Sequence, residues 1–190
     1  GVANAKTTTV STTLAGLADS ATIQKVVSEA FGLRPIPRTL NAHVFVNAIK
    51  NGQAAYIDAG TVKVVATPKA PKIDTEYYLT GNINSWNNND KTYAVKNSGA
   101  DVYTDPVFNI TLTTAQVAVQ SKVEFKLTPI SKIGTKDWSE CIAAAKEDGK
   151  LVGNNAGGNI SFDVVPGAKV YKLSFNLLDQ TWTCTPLSFD

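Results

Sequence analysis

The chain has 190 residues, 43% of them hydrophobic and 18% charged, which is the make-up of one large globular domain or two small ones rather than of a disordered segment. Its net charge of +2 gives no strong field to draw it to nucleic acid or anionic lipid. No apolar run approaches the roughly 20 residues that a membrane helix needs. There is no Met and the chain opens on Gly1, so its original start is expected to be missing, removed with a signal peptide or otherwise trimmed away.

Residues 20–32 carry the best helix signal. Ile23, Val26, Val27, Ala30 and Phe31 form one apolar stripe, Asp19 or Ser20 can cap its start, and Gly32 can close it. Pro35 and Pro37 then force extended chain. Residues 40–48 alternate as a strand, Asn51-Gly52 is a tight-turn signal, and a returning strand ends at Ala66. The stretch 67–72 holds two prolines and no apolar periodicity. It is expected to link a first domain over 1–70 to a second over 74–190, with a hinge between them.

Beyond the link, strands are expected near 76–81, 91–95, 106–113, 122–128, 160–164, 169–177 and 181–187. Val123, Phe125 and Leu127 point one way while Glu124 and Lys126 point the other, and Tyr171, Leu173, Phe175 and Leu177 share a face. Seven short strands with turn signals between them suggest a β-sandwich for the second domain, and the whole chain is expected to be all-β, two β-sandwich domains joined by the link. A helical turn or more is expected within 136–148.

The residues that carry chemistry are sparse. His43 stands in a strand of the first domain with no nucleophile motif near it, and its plain reading is a polar strand position. One His and two distant cysteines make no metal set. Cys141 and Cys184 could form one disulfide or stay as two thiols, and the apolar run after Cys141 favours core filling. Asp101, Asp105, Glu124, Glu140, Glu147 and Asp148 could pair as a glycosidase would require, but read more simply as solvated charge. No cofactor motif occurs.

The tryptophans say more. Trp86 follows Gly81-Asn82-Ile83-Asn84-Ser85 and precedes three Asn, and Trp138 sits among Lys136, Asp137, Ser139 and Glu140. Both are large aromatics in polar loops, suited to lie against the C–H face of a sugar or to cap the edge of a core. Trp182, between Thr181 and Thr183, reads as sheet packing.

These residues also carry a resemblance. Tyr77-Tyr78-Leu79-Thr80-Gly81-Asn82-Ile83-Asn84-Ser85-Trp86 resembles the opening of sandwich modules in SusE/SusF-like proteins, the surface starch-binding lipoproteins of Bacteroides-type polysaccharide utilisation systems. The glycogen-binding domain of AMP-activated kinase opens similarly. Glu124-Phe125-Lys126, Trp138, Gly157-Gly158-Asn159-Ile160 and the closing run from Tyr171 to Thr183 follow in the family's order. Phe31-Gly32-Leu33 and Val64-Val65-Ala66-Thr67-Pro68 resemble parts of the Ig-like domain that precedes these modules.

The resemblance implies an Ig-like domain followed by a carbohydrate-binding module. It implies non-catalytic binding of a starch-like α-glucan at the outer-membrane surface, with a lipid anchor and no cofactor. Trp86 and Trp138 would stack on glucose rings while Lys126 and Asn159 bond hydroxyls, with Lys122 as the alternative lysine. The implied partners are the polysaccharide and other outer-membrane glycan-uptake proteins. A structural or assembly module without glycan binding is the alternative.

Overall fold

The structure is a computed structural model that describes residues 9, 12, 13 and 15–188. The chain divides into two compact units, Gly1–Pro71 and Lys72–Asp190. Residues 67–72 belong to neither helix nor strand.

In the first unit, helix α1 (Ser20–Phe31) begins where the Asp19 carboxylate accepts from the Thr22 N–H at 2.9 Å. It ends where Gly32, at φ 77°, donates its N–H to the Ser28 carbonyl. Val27 is the residue it buries, at 1% exposure. Strands β1 (Arg38–Lys50) and β2 (Gln53–Ala66) form an antiparallel hairpin turned by Asn51 and Gly52, whose φ values of 50° and 78° are those of a type I′ turn. The register slips between Val44 and Phe45, because Val44 pairs with Gly60 and Phe45 with Asp58. At this bulge Asp58 accepts from the Gly60 N–H at 2.8 Å and lies 2.7 Å from His43 Nε2. His43 also stacks on Phe45, with ring centres 4.3 Å apart, so the sequence's single His braces a hairpin bulge. Among the described residues, α1 and this hairpin are the unit's helix and strands.

The second unit is a sandwich of two antiparallel sheets. One has the order β11-β10-β5, with β5 at Val107–Thr113, β10 at Val170–Asn176 and β11 at Thr181–Leu187. The other has the order β4-β3-β6-β9, with β3 at Tyr77–Gly81, β4 at Ala94–Val95, β6 at Lys122–Pro129 and β9 at Ile160–Asp163. Alternation fills the space between them. Leu79, Val123, Phe125, Leu127 and Ile160 from one sheet, and Phe108, Leu112, Tyr171, Leu173 and Phe175 from the other, are all essentially inaccessible. Edge-to-face contacts join the layers, with Tyr77 and Phe108 centred 5.3 Å apart and Phe125 and Phe175 6.0 Å apart. Strand positions therefore follow the sequence expectation closely.

One expectation is corrected. No helix forms within 136–148. The apolar run after Cys141 is extended chain: Ile142 exchanges backbone hydrogen bonds with Leu127, and β7 (Ala143–Ala144) pairs with β8 (Leu151–Val152). Single helical turns lie instead at Asn82–Asn84, Thr114–Val117 and Ile130–Lys132.

Candidate carbohydrate-binding site

The outer face of the β4-β3-β6-β9 sheet is not left to water. Thr80 and Thr128, on the face opposite Leu127, are fully buried and share a hydroxyl hydrogen bond of 2.9 Å. The chain between β6 and β9 folds across them, placing the buried Cys141 Sγ 3.6 Å from the Thr128 hydroxyl. This excursion carries Trp138 and brings it to the end of β3 from which Trp86 leaves.

The departure of Trp86 is tightly specified. Gly81 lies against β6 so closely that a Cβ there would stand 2.1 Å from the Glu124 carbonyl, which only Gly permits. The Asn84 side chain accepts from the Gly81 N–H at 2.9 Å and donates to the Leu79 carbonyl at 3.2 Å. Ser85 and Trp86 then both take left-handed backbone, at φ 54° and 57°, and the Trp86 N–H returns to the Gly81 carbonyl at 2.8 Å. Two successive non-Gly residues in that region cost on the order of 1–3 kcal/mol each and persist where the surroundings enforce them.

The result is an aromatic pair. The Trp86 and Trp138 rings are centred 6.2 Å apart with planes inclined by 55°, and both residues are half-buried, with part of each left open to solvent. Trp182 differs: it stacks on the buried Phe175, with centres 6.1 Å apart, as sheet packing requires.

Lys126 sits on β6 opposite Thr80, half-buried on the outer face as strand parity requires. Its ammonium donates to the Asn155 side-chain oxygen and, at 3.4 Å, to the Gly157 carbonyl. Asn155 is tied to Trp138 through one residue: the Asn155 N–H donates to the Cys141 carbonyl at 2.8 Å, and the Cys141 N–H to the Trp138 carbonyl at 3.1 Å. Asn159 is exposed and directly precedes Ile160, whose strand partner Phe125 directly precedes Lys126. Lys122 is exposed at the start of β6. Asn155 belongs to the Asn154-Asn155 cluster visible in the sequence, but nothing there marks it as the residue that meets Lys126.

Charged neighbours hold the Trp138 segment. Lys132 Nζ lies 2.6 Å from Asp137 and 3.4 Å from Glu140, and Lys72 reaches Glu140 at 2.5 Å. The hydrogen bond from Lys132 holds the Asp137 carboxyl well below the usual range. The bond from Lys72 likewise lowers Glu140, and both lysines are raised in return. Asp101 and Asp105, noted in the sequence as carboxylates, accept backbone N–H groups of their own loop and serve turn geometry.

An all-β sandwich that presents paired aromatics with amide and ammonium groups beside them is built as a carbohydrate-binding module. Residues 72–186 match the family described as the first starch-specific carbohydrate-binding module of SusF, and residues 1–68 match the N-terminal domain of the outer membrane protein SusF. No curated protein and no solved structure gives a significant match. The chain belongs to the SusF family, and its function is non-catalytic starch binding at the outer membrane.

Proposed function

We propose that Trp86 and Trp138 form the stacking surface on which an α-glucan rests, with Lys126, Asn155 and Asn159 bonding its hydroxyls at the edge. The observation that carries this reading is the partly exposed indole pair, 6.2 Å between centres, held by strained and hydrogen-bonded loops rather than sunk in the core. The protein holds the polysaccharide at the cell surface, tethered by a lipid, and leaves cleavage to other proteins. Three of the candidate carboxylates support this: Glu140 is paired with Lys72 and Lys132, and Asp101 and Asp105 accept backbone N–H groups of their own loop.

Affinity electrophoresis through gels cast with soluble amylopectin tests the site. The wild-type chain should be retarded, and Trp86→Ala and Trp138→Ala should run as in plain gels. Prolonged incubation with amylopectin should release no new reducing ends. A wild-type chain that ignores this and every other glucan overturns the reading.

A second reading, assembly with other outer-membrane glycan-uptake proteins, is favoured by one observation. The hairpin of the first unit exposes Phe45, Ile49, Tyr56, Ile57 and Val62. Photo-cross-linking from position 57 in intact outer membranes tests it, with a discrete adduct to an uptake protein expected and an unlinked chain counting against it.

A further inference from the structure

Trp86 and Trp138 stand on separate loops, and a rigid stacking surface needs something to fix one against the other. Trp86 is anchored to β3 by Gly81 and Asn84, and Trp138 is anchored through Cys141 to the excursion over β6. Neither anchor sets the spacing between the rings.

Asn88 lies two residues beyond Trp86 and is buried, at 7% exposure, one of three buried polar residues in the described chain. The other two, Thr80 and Thr128, satisfy each other. The hydrogen bonds of Asn88 all cross to the loop before Trp138. Its side-chain amide donates to the Lys132 carbonyl at 3.2 Å, and its side-chain oxygen accepts from the Lys136 N–H at 3.4 Å. Its backbone carbonyl accepts from the Gly134 N–H at 3.0 Å. Gly134 and Lys136 take left-handed backbone, at φ 76° and 60°, so that the loop curls around this one side chain. Lys136 stands two residues before Trp138, as Asn88 stands two after Trp86. No other residue type offers a donor and an acceptor on so short a planar stem.

We propose that Asn88 is the positioning residue that sets the distance and tilt between Trp86 and Trp138, and through them the affinity for glucan. The inference rests on the reading of these tryptophans as the stacking surface. It assigns to Asn88 no contact with the sugar. Removing its side chain strands the Lys136 N–H and frees the 132–136 loop, so the rings keep their chemistry and lose their mutual geometry.

Two indoles at this distance and inclination couple their transition dipoles, giving a paired positive and negative band in circular dichroism that needs no ligand. In the full chain, Trp86→Phe and Trp138→Phe identify that couplet by removing it. Asn88→Ala should then diminish the couplet and weaken retention on amylopectin gels by at least about tenfold, about 1.4 kcal/mol. Asn88→Asp, which keeps the acceptor for Lys136 and loses the donor to Lys132, should fall between Asn88→Ala and wild type on both measures, and it decides the question should the alanine variant not fold. A lower melting temperature with an unchanged couplet and unchanged retention would make Asn88 a merely structural residue and overturn the inference. If Trp86→Ala binds amylopectin like wild type, the stacking site is wrong, whereas the ligand-free couplet still reports whether Asn88 holds the rings.

Discussion

The Lys126 ammonium and the Asn155 side-chain oxygen are hydrogen-bonded across 29 residues of sequence, on the outer face of a sheet whose other face is core. The contact holds a flexible lysine stem in one place and, with the Gly157 carbonyl taking a second N–H, leaves one donor for a ligand. A hydroxyl of a bound sugar would meet a head group already oriented, so less rotamer freedom is lost on binding.

Asn155→Ala is therefore expected to weaken starch binding although the tryptophans are intact. The loss should be about 1 kcal/mol, the net worth of a partly exposed hydrogen bond. Lys126→Ala should lose at least as much. Isothermal titration with a soluble maltooligosaccharide measures both, and an Asn155→Ala variant with wild-type affinity would remove Asn155 from the site.

Trp86→Ala should be the more severe change. Hydroxyl hydrogen bonds to a sugar largely replace those already made to water, so stacking supplies the net gain. Truncating one ring costs on the order of 1–3 kcal/mol, from the aromatic area it covers. A site of millimolar to micromolar affinity has only about 4–8 kcal/mol in all. Retention on starch gels should disappear while thermal unfolding stays cooperative. Full retention would place the binding surface elsewhere.

The strands that build this site are legible in the sequence because their alternation is strict. Val123, Phe125 and Leu127 face the core and Lys126 does not, so a two-residue period by itself places the lysine outward. The excursion over β6 is not legible. Its strands β7 and β8 are two residues each, too short to show a period, and the Cys141-to-Ala145 run favours helix by composition. Tertiary pairing of Ile142 with Leu127 decides it instead. For the same reason the family resemblance points to Asn159 in the Gly-Gly turn while nothing local marks Asn155. Which Asn meets Lys126 depends on the bridge between Ala144 and Gly158, and no local signal encodes that bridge.

That bridge makes a test of its own. A Cβ on Gly157 would lie 1.9 Å from the Ala144 carbonyl and 2.8 Å from a Val152 methyl, so the ribbon of β7 and β8 must move to admit it. Gly157→Ala should cost about 1–3 kcal/mol of stability and shift the carbonyl that accepts from Lys126. Chemical denaturation measures the first effect and titration the second. An alanine there that leaves the unfolding midpoint unchanged would show the close approach to be absent.

The Trp138 segment should also respond to pH. Asp137 and Glu140 are held below their ordinary values by Lys132 and Lys72. A carboxyl lowered in the folded state contributes stability that is full above its unfolded value, about 4, and is lost as pH falls through the folded one. Lys132 and Lys72 are raised, so their share is full below about 10.4 and is lost as pH rises past it. Starch retention should be level between about pH 5 and 10 and decline on either side. High salt should blunt the decline, since these groups are at least partly exposed. In Asp137→Asn the acid limb should shrink, and an unchanged acid limb would assign it to other carboxylates.

Cys141 and Cys184 should remain thiols even in an oxidising compartment. Cys141 belongs to the excursion over the outer face of one sheet, against Thr128, and Cys184 lies on β11 of the other sheet, opposite Leu173. Both are free in the structure. Burial raises the Cys141 thiol and pushes Cys184 up to about 11, so little thiolate exists near neutral pH to attack an oxidant or a partner sulfur. Intact mass of the natively folded chain should therefore show both thiol hydrogens present. An alkylating reagent at pH 8 should label neither residue quickly until denaturant is added, Cys184 being the first to react because it is only half-buried. A mass two hydrogens lighter, restored by reductant, would mean that the two residues meet, and the placement of Cys141 against Thr128 would then be wrong.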